Sequence, residues 1–293
     1  MRVAVVGLGG VGGYIAASFA RVGIDVVGFA RGAHLEAIRA HGVEIIEDGV
    51  CWSEKIDVRE LSELDGYFEG AFDMVLFCVK SYDLEDSYRA LLSHIDEKTV
   101  VISFSNGVNN GDTLRLLGAK RVLDGCVYIL SHIESAGKIR KKGEVFAAIF
   151  GGESEATAAL ASLFEKAQLR YKTPENIKEA IWKKYLFISA FATLTSYYDI
   201  TIADIYENHR DEALTLLREI SGYAQKEGVD ISDEVQKALT AASKLPKDAT
   251  TSMHLDFQNA KRVELESLSG YVQMPLMQQL YSELKKRVVA EID

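Results

Sequence analysis

The chain has 293 residues, of which 48% are hydrophobic, and this length and composition are enough for two domains with a core each. Its formal net charge of −10 disfavours a nucleic acid partner, and its three cysteines, without C-x-x-C spacing, disfavour a disulfide framework or a metal site and suit a reducing cytoplasm. We expect no membrane partner and no signal peptide, because no apolar run reaches the roughly eighteen residues of a membrane span and the N-terminus leads directly into a strand pattern.

The first predicted element is a buried strand over residues 2–6, a continuous apolar run that ends at a glycine. The pattern G-x-G-x-x-G follows, and a helical pattern comes directly after it. In a dinucleotide-binding unit Gly7 permits the turn, Gly9 lets the backbone approach a pyrophosphate, and Gly12 lets the helix pack on the sheet. This order favours a dinucleotide site over a glycine-rich turn without a ligand. The predicted cofactor-binding residues here are Gly7, Leu8, Gly9, Gly10, Val11 and Gly12.

The end of the second predicted strand, over residues 24–31, indicates which dinucleotide binds. NAD-binding proteins usually carry Asp or Glu at this point, where the carboxylate accepts hydrogen bonds from the ribose 2′-hydroxyl. This chain has Ala30 and Arg31 there, and Asp25 lies at the opposite end of the strand. Because a guanidinium group pairs well with phosphate, Arg31 favours NADP(H) over NAD(H). The alternative is that Arg31 is only a solvated residue at a strand end.

Strand and helix patterns alternate through the rest of the first half, which predicts an α/β fold with a doubly wound parallel sheet. Ligands of such sheets bind at the carboxyl ends of the strands. Lys80 ends one predicted strand and Asn106 follows the next, so we expect both on the ligand-binding edge. The predicted strands are 43–46, a segment near 56–58, 73–80, 99–104, 122–129, 138–150 and 169–173, and the predicted helices are 35–40, 82–95 and 153–167.

Pro174 marks the predicted domain boundary, because strand candidates are nearly absent beyond it. We predict an N-terminal doubly wound Rossmann-type domain over residues 1–173 and an all-helical C-terminal domain over residues 174–293. A nucleotide-binding domain followed by a helical domain is the layout of many dehydrogenases. The predicted helices of the second half cover 177–195, 202–227, 232–242 and 253 to the C-terminus.

Three side chains of the helical half are suited to chemistry. Lys184 lies among apolar and aromatic residues, where burial disfavours the charged form and can make a lysine a better proton donor. An ordinary surface lysine is the alternative. Ser252 lies at a predicted helix start, where its hydroxyl could bind a carboxylate or simply cap the helix. Glu264 is either a buried partner for a lysine or a solvated charge.

Taken together, these stretches resemble the ketopantoate reductases, the NADPH-dependent 2-dehydropantoate 2-reductases, over essentially the whole chain. The resemblance is carried by V-V-G-L-G-G-V-G-G, F-C-V-K, S-N-G, E-A-I-W-K-K, S-M-x-x-D and V-E-L-E-S-L-S-G, together with Arg31. It implies that Lys184 is the general acid and that Glu264 is a second catalytic residue that also helps to hold the cofactor ribose. It further implies that Asn106 contacts both cofactor and substrate, that Ser252 contacts the substrate carboxylate, and that Lys80 contacts the cofactor.

The resemblance therefore implies a cytoplasmic reductase that uses NADP(H) to reduce a small 2-oxo acid, ketopantoate before others. No metal is expected, and a homodimer is left open. One alternative is another dehydrogenase of the same architecture, acting on a different 2-oxo or 3-hydroxy acid or of the opine type. A non-catalytic NADP(H)-binding sensor is the other alternative.

This chain departs from the family pattern in the helix that carries the lysine. Family members usually have asparagines one and two turns after it and then a proline, whereas this chain has Ile188, Ala192 and Thr193. We expect Ile188 and Ala192 to share one helix face with Lys184 and to make that face apolar. Apolar groups cannot hydrogen-bond a substrate hydroxyl, so we expect weak use of ketopantoate. The stretch after Gly270 is also shorter than is usual in the family.

Overall fold

The computed structural model describes residues 1–64, 66 and 69–290, with the backbone alone for residues 289 and 290. The chain clusters into two compact units: Met1–Ser105 with Asn109–Ile177 form the first, and Asn106–Val108 with the chain from Lys178 onward form the second. The short segment Asn106–Val108 thus belongs to the second unit, although its neighbours in sequence belong to the first. The domain division at residue 173 stays a prediction.

The first unit is built on one sheet, to which the described residues contribute ten strands. The strands are β1 (Arg2–Val6), β2 (Asp25–Phe29), β3 (Val43–Glu47), β4 (Val50–Glu54), β5 (Asp57–Arg59), β6 (Met74–Phe77), β7 (Val100–Ser103), β8 (Arg121–Ser135), β9 (Lys138–Gly151) and β10 (Tyr171–Lys172). The helices of this unit are α1 (Gly10–Arg21), α2 (Gly32–His41), α3 (Leu84–Ala90), α4 (Asn110–Leu116) and α5 (Ser154–Lys166). The sequence analysis predicted neither β4 nor α4, and it predicted α3 longer than it is.

Neighbouring strands in the order β8-β7-β6-β1-β2-β5 are all parallel, which confirms the doubly wound Rossmann-type arrangement. The other end of the sheet is mixed, so the expectation of an entirely parallel sheet is wrong there. Strands β8 and β9 pair antiparallel because only Ala136 and Gly137 connect them, and so short a connection can form only a hairpin. Strand β3 then pairs parallel with β9 and antiparallel with β4.

The apolar run of β1 is buried on both faces of the sheet, as a strand between two helical layers must be. Val3 and Val5 belong to one hydrophobic core, and Ala4 and Val6 belong to another. The alternation follows from the two-residue period of a strand, which sends successive side chains to opposite faces. Helix α1 packs on the first of these cores and α3 on the second, so β1 lies between two layers of helices.

The second unit is helical, as predicted, around a single core. Its centre is α6 (Ile177–Tyr198), which is buried along most of its length. The predicted helix over 202–227 is divided at His209, whose backbone leaves the helical conformation. The predicted last helix is divided into three segments, and its residues 291–293 lie outside the described chain. The other helices are α7 (Ile202–Asn208), α8 (Arg210–Lys226), α9 (Glu234–Ala242), α10 (Ser252–Gln258), a π-helical turn (Glu266–Gly270) and α11 (Pro275–Ala290).

No single helix of the described chain has the length and apolar composition needed to cross a membrane. The two helices α6 and α7 meet those criteria only when counted together across their 84° bend.

Candidate active site

The glycine loop between β1 and α1 takes its shape from the absence of side chains. Gly7 has a φ of 90°, in the left-handed region, and a Cβ added to it would lie 2.9 Å from the backbone nitrogen of Val79. A Cβ on Gly12 would collide with the carbonyl oxygen of Gly7 and would lie 2.7 Å from Cβ of Cys78. Helix α1 can therefore pack against the ends of β1 and β6 only with glycine at position 12.

The start of α1 is suited to a phosphate group. Gly9 is the N-cap of the helix, no side chain caps it, and its first turn holds no acidic residue. A Cβ on Gly9 would meet no atom within 4 Å, so the backbone is open on that side. The first N–H groups of a helix have no partner within the helix and carry partial positive charge. These residues therefore fit the pyrophosphate of a dinucleotide.

Arg31 and Lys80 lie at the same edge of the sheet as the glycine loop, because each follows the carboxyl end of a strand parallel to β1. The Arg31 side chain is 84% exposed, and its guanidinium group lies 3.3 Å from a carboxylate oxygen of Asp83. Lys80 is half-buried and directly precedes a short 3₁₀ turn. Two cationic side chains thus lie at the edge where the adenine ribose of a dinucleotide is expected.

Lys184 lies in the second unit with Asn106, and the structure brings the two side chains into contact. Lys184 Nζ donates a hydrogen bond to Asn106 Oδ1 at 2.9 Å, and both side chains are half-buried. The preceding lysine has a different environment: Lys183 Nζ lies 2.8 Å from Glu179 and 3.2 Å from Glu234. The hydrogen bond with Glu179, reinforced by Glu234, raises the pKa of Lys183. Of the two adjacent lysines, Lys183 is therefore engaged in a carboxylate network, and Lys184 contacts an amide.

Glu264 is buried, with 4% of its surface exposed, so it is not a solvated charge. Its backbone carbonyl accepts hydrogen bonds from Leu268 N at 3.1 Å and from Ser267 Oγ at 3.2 Å. The π-helical turn Glu266–Gly270 begins two residues later. Such turns occur frequently at functional sites, and here the turn follows directly on a predicted catalytic residue.

Three buried hydroxyl groups of α6 hold the π-helical turn. Tyr185 OH donates to the carbonyl oxygens of Ser267 and Leu268, each at 3.0 Å, and Ser189 Oγ donates to the Leu268 carbonyl at 2.6 Å. One turn further, Thr193 Oγ1 is hydrogen-bonded to Ser269 Oγ at 2.7 Å. Sequence analysis missed this set; its signal is the spacing of four residues between hydroxyl side chains, which aligns them along one face of a helix.

Ser252 is exposed and is the first residue of α10. The cap of that helix is the preceding Thr251, whose Oγ1 accepts a hydrogen bond from His254 N at 3.3 Å. The Ser252 hydroxyl is therefore not occupied as the helix cap. The helix is also tied to the end of α6, since Thr195 and Thr251 are hydrogen-bonded through their hydroxyls and His254 Nε2 lies 2.7 Å from Asp199.

Ile188 and Ala192 do not have equivalent positions in α6. Ile188 keeps part of its side chain exposed, whereas Ala192 has no exposed surface and belongs to the core of the second unit. The expectation that both positions share one helix face with Lys184 is therefore wrong for Ala192, which packs in the core. The drift of an α-helix away from an exact four-residue repeat explains why a residue two turns away can enter the core.

The described residues include no group of three His, Cys, Asp or Glu side chains placed to hold a metal ion. The candidate functional residues form two sets, one in each unit. The first is the glycine loop with Arg31 and Lys80, and the second is the Lys184–Asn106 pair with Glu264 and Ser252.

Two family models match this chain in succession. The model described as "Ketopantoate reductase PanE/ApbA" matches residues 3–152, and the one described as "Ketopantoate reductase PanE/ApbA C terminal" matches residues 176–285. The uncharacterized oxidoreductase YkpB of Bacillus subtilis is 32% identical over 93% of this chain and 91% of its own length. The 2-dehydropantoate 2-reductase of Mesorhizobium japonicum is 27% identical over 93% of this chain and 90% of its own.

Solved structures share the fold. A PanE/ApbA family ketopantoate reductase from Ralstonia eutropha matches with a TM-score of 0.90 and 26% identity, over 100% of both chains. D-mandelate dehydrogenase in its ternary structure with NADH and anilino(oxo)acetate matches with a TM-score of 0.89 over 100% of both chains, and at 18% identity it shows a likeness of fold alone.

Proposed function

Because the chain belongs to the ketopantoate reductase family of oxidoreductases, we propose that it reduces a small 2-oxo acid with NADPH, and that this acid is 2-dehydropantoate. The observation that carries the proposal is the hydrogen bond from Lys184 to Asn106, since it joins the predicted proton donor to the predicted substrate-binding amide. Both side chains are half-buried, so the pair is shielded from bulk water without being closed to a ligand.

The loop from Gly7 to Gly12 would hold the pyrophosphate through backbone N–H groups at the start of α1. Arg31 and Lys80 would bind the 2′-phosphate that distinguishes NADP(H) from NAD(H), because both are cationic and Arg31 is largely exposed. Bound NADPH supplies the hydride that adds to the carbonyl carbon. The NADH in the D-mandelate dehydrogenase structures belongs to those proteins, and the arginine of this chain supports the other cofactor.

Lys184 supplies the proton of the reaction. As negative charge grows on the carbonyl oxygen of the substrate, the ammonium group donates a proton to that oxygen, and the product is a 2-hydroxy acid. Asn106 accepts a hydrogen bond from Nζ and so restricts the direction of the ammonium group. We propose that the buried Glu264 carboxyl favours the charged form of Lys184 and helps to hold the cofactor ribose.

The exposed Ser252 hydroxyl would bind the carboxylate of the substrate, with Asn106 as a second substrate contact. Its helix is fixed by the Thr251 cap and by the contacts with the end of α6. The position of the hydroxyl therefore depends on buried groups that a substrate would not disturb.

A bulkier or less polar 2-oxo acid is the second candidate substrate. The observation that favours it is Ile188, which is partly exposed one helical turn after Lys184 and has no hydrogen-bonding group. A sensor that binds NADP(H) without turnover is a third, non-enzymatic candidate.

The test is the oxidation of NADPH in the presence of a panel of 2-oxo acids, with 2-dehydropantoate first and benzoylformate as the bulky member. Turnover of 2-dehydropantoate above the others supports the proposal, and a preference for benzoylformate supports the second candidate. NADPH binding without turnover of any acid would contradict both and support the sensor.

A further inference from the structure

His34, in helix α2, has both ring nitrogens bonded to backbone groups. Nε2 lies 2.8 Å from the carbonyl oxygen of Leu8, and the N–H of Gly137 donates to Nδ1 at 3.0 Å. An amide N–H can only donate, so Nδ1 is the acceptor and carries no hydrogen. The neutral ring then has its hydrogen on Nε2 and donates it to Leu8. His34 is therefore a neutral bridge between the glycine loop and the β8–β9 hairpin turn.

The hairpin turn is held in place independently of His34. Its Gly137 has a φ of 78°, and a Cβ there would lie 2.9 Å from Cβ of Ala37 in α2. The carbonyl of Gly137 accepts a hydrogen bond from Glu44 N at 2.9 Å, at the start of β3. Because the turn is fixed against both α2 and β3, its N–H determines which nitrogen of the His34 ring is the donor.

The other end of the bridge controls a peptide of the glycine loop. The carbonyl of Leu8 and the N–H of Gly9 belong to one planar trans peptide, in which they point in opposite directions. A hydrogen bond that holds the Leu8 carbonyl toward His34 therefore directs the Gly9 N–H away from α2. Gly9 is also the residue whose Cβ would meet no atom within 4 Å, so the loop is open there.

We propose that His34 is a positioning residue for the dinucleotide. It keeps the Leu8–Gly9 peptide oriented so that an N–H group, and not a carbonyl oxygen, is presented to the pyrophosphate. Glycine at position 9 tolerates positive and negative φ, so its own backbone does little to fix the orientation of this peptide, and the side chain of His34 supplies a restraint. A flipped peptide would place a carbonyl oxygen near the phosphate charge and oppose binding. This inference rests on the proposed binding of NADPH at the glycine loop.

Two amide substitutions of His34 test its hydrogen bonds to Leu8 and Gly137 one at a time. His34→Gln places its amide nitrogen near the position of Nε2 and can keep the bond to Leu8. His34→Asn places its amide oxygen near Nδ1 and can keep the bond to Gly137, and His34→Ala loses both. We expect the Kd for NADPH, measured by calorimetric titration without substrate, to rise about 10-fold for Ala and Asn and roughly 2-fold for Gln. His41→Gln, at the exposed end of the same helix, is the matched control and should leave the Kd unchanged.

The thermal midpoint of each variant is measured beside its Kd. His34→Asn and His34→Gln each lose one hydrogen bond and should unfold at similar temperatures. Similar thermal midpoints with different Kd values for NADPH therefore support the positioning role. Lower midpoints with an unchanged Kd, or equal Kd values for Asn and Gln, would overturn it. If the wild-type chain bound neither NADPH nor NADH, the proposed function would fall and this inference with it. Normal wild-type binding with unaffected His34 variants overturns this inference alone.

Discussion

The glycine loop of the first unit and helix α6 of the second unit, the lysine helix that carries Lys184, hold their functional groups in opposite ways. The loop depends on atoms that are absent, since a Cβ at Gly12 would collide with Gly7. The lysine helix depends on atoms that are present, since hydroxyls of Tyr185 and Ser189 are buried against the carbonyls of the π-helical turn. The loop is shaped by close approaches that leave no room for side chains, within the loop and against Cys78 and Val79, whereas α6 is held by side chains that bond to residues about eighty positions away.

Because of this difference, the two sites should tolerate different amino-acid substitutions. A backbone-shaped site accepts changes around it but not within it, because steric exclusion acts over less than an ångström. A site held by side-chain hydrogen bonds loses them one at a time, each with a net effect of about 1 kcal/mol on the free energy of unfolding. Of the four predictions that follow, the pair of glycine substitutions tests this contrast directly, and the other three test the functional groups that the two units hold.

Lys184→Ala gives the largest expected effect. Removing a general acid should lower kcat by roughly 10²-fold or more, with the Kd for NADPH nearly unchanged, because the cofactor loop lies in the other unit. Steady-state turnover with the best 2-oxo acid and a binding titration check both parts. Lys183→Ala is the control, since that lysine pairs with Glu179 and Glu234. Wild-type turnover in Lys184→Ala would show that this residue is no proton donor.

Gly12→Ala and Gly9→Ala form a matched pair for the loop. The added methyl group at position 12 has no room, so we expect a loss of about 1–3 kcal/mol in the free energy of unfolding and weak NADPH binding. At position 9 the methyl group meets no protein atom, so stability should be retained while NADPH binding falls. Denaturant unfolding and titration measure the two effects. Equal destabilisation by both substitutions would break the argument from steric exclusion.

Arg31→Asp tests which dinucleotide the sheet edge selects. We expect the wild-type chain to bind NADPH at least ~10-fold more tightly than NADH, the contribution of about one charge-assisted contact to the 2′-phosphate. The substitution should narrow or invert that preference, with little change in stability because the side chain is 84% exposed. The measurement is the ratio of the two Kd values. Equal affinity of the wild-type chain for both cofactors would remove the assignment to NADP(H).

Ile188→Asn is expected to have the smallest effect, about 5-fold in kcat/KM. An amide at this partly exposed position can hydrogen-bond a substrate hydroxyl, and one such bond contributes about 1 kcal/mol. The variant should use 2-dehydropantoate better, relative to an analogue without the distal hydroxyl, than the wild-type chain does. Ala192→Asn is not a useful partner, because it would bury an amide in the core of the second unit. If the wild-type chain strongly preferred 2-dehydropantoate over that analogue, residues other than position 188 would have to bind the hydroxyl.

Most of the fold could be predicted because its signals are local. The apolar run of β1, the glycine pattern and the first turn of α1 lie within a short stretch of chain, and each constrains its neighbours directly. The break between α7 and α8 at His209 could not be predicted, because neither proline nor glycine marks it. The antiparallel pairs β8–β9 and β3–β4 are hairpins with short connections, whereas the pairing of β3 with β9 joins distant segments and no local pattern encodes it.

The candidate site likewise has parts that local sequence patterns predict and parts that they do not. Lys184, Asn106 and Glu264 were found from motifs, but their spatial relation was not: Lys184 and Asn106 are 78 positions apart, and only the folded chain brings their side chains into contact. His34 gave no signal, because its role depends on which backbone carbonyl lies opposite it. The four-residue spacing of Tyr185 with the other α6 hydroxyls is a signal, but it does not show which backbone groups they contact. A hydrogen bond from a side chain to the backbone of a distant segment can be identified only from the folded structure.

The pairing of β3 with β9 has a consequence for how the chain acquires its structure on the ribosome. Glu44 to Glu47 lie opposite Lys138 to Lys141, so the outer edge of the sheet remains incomplete until most of the first unit has been synthesised. Until then β3 exposes an unpaired edge, which is a template for association with other chains. Contacts of this range also slow folding, because a long loop must close before they form. Nascent chains that end before residue 138 therefore keep this edge of β3 unpaired, and a chaperone that covers the edge would protect them from aggregation.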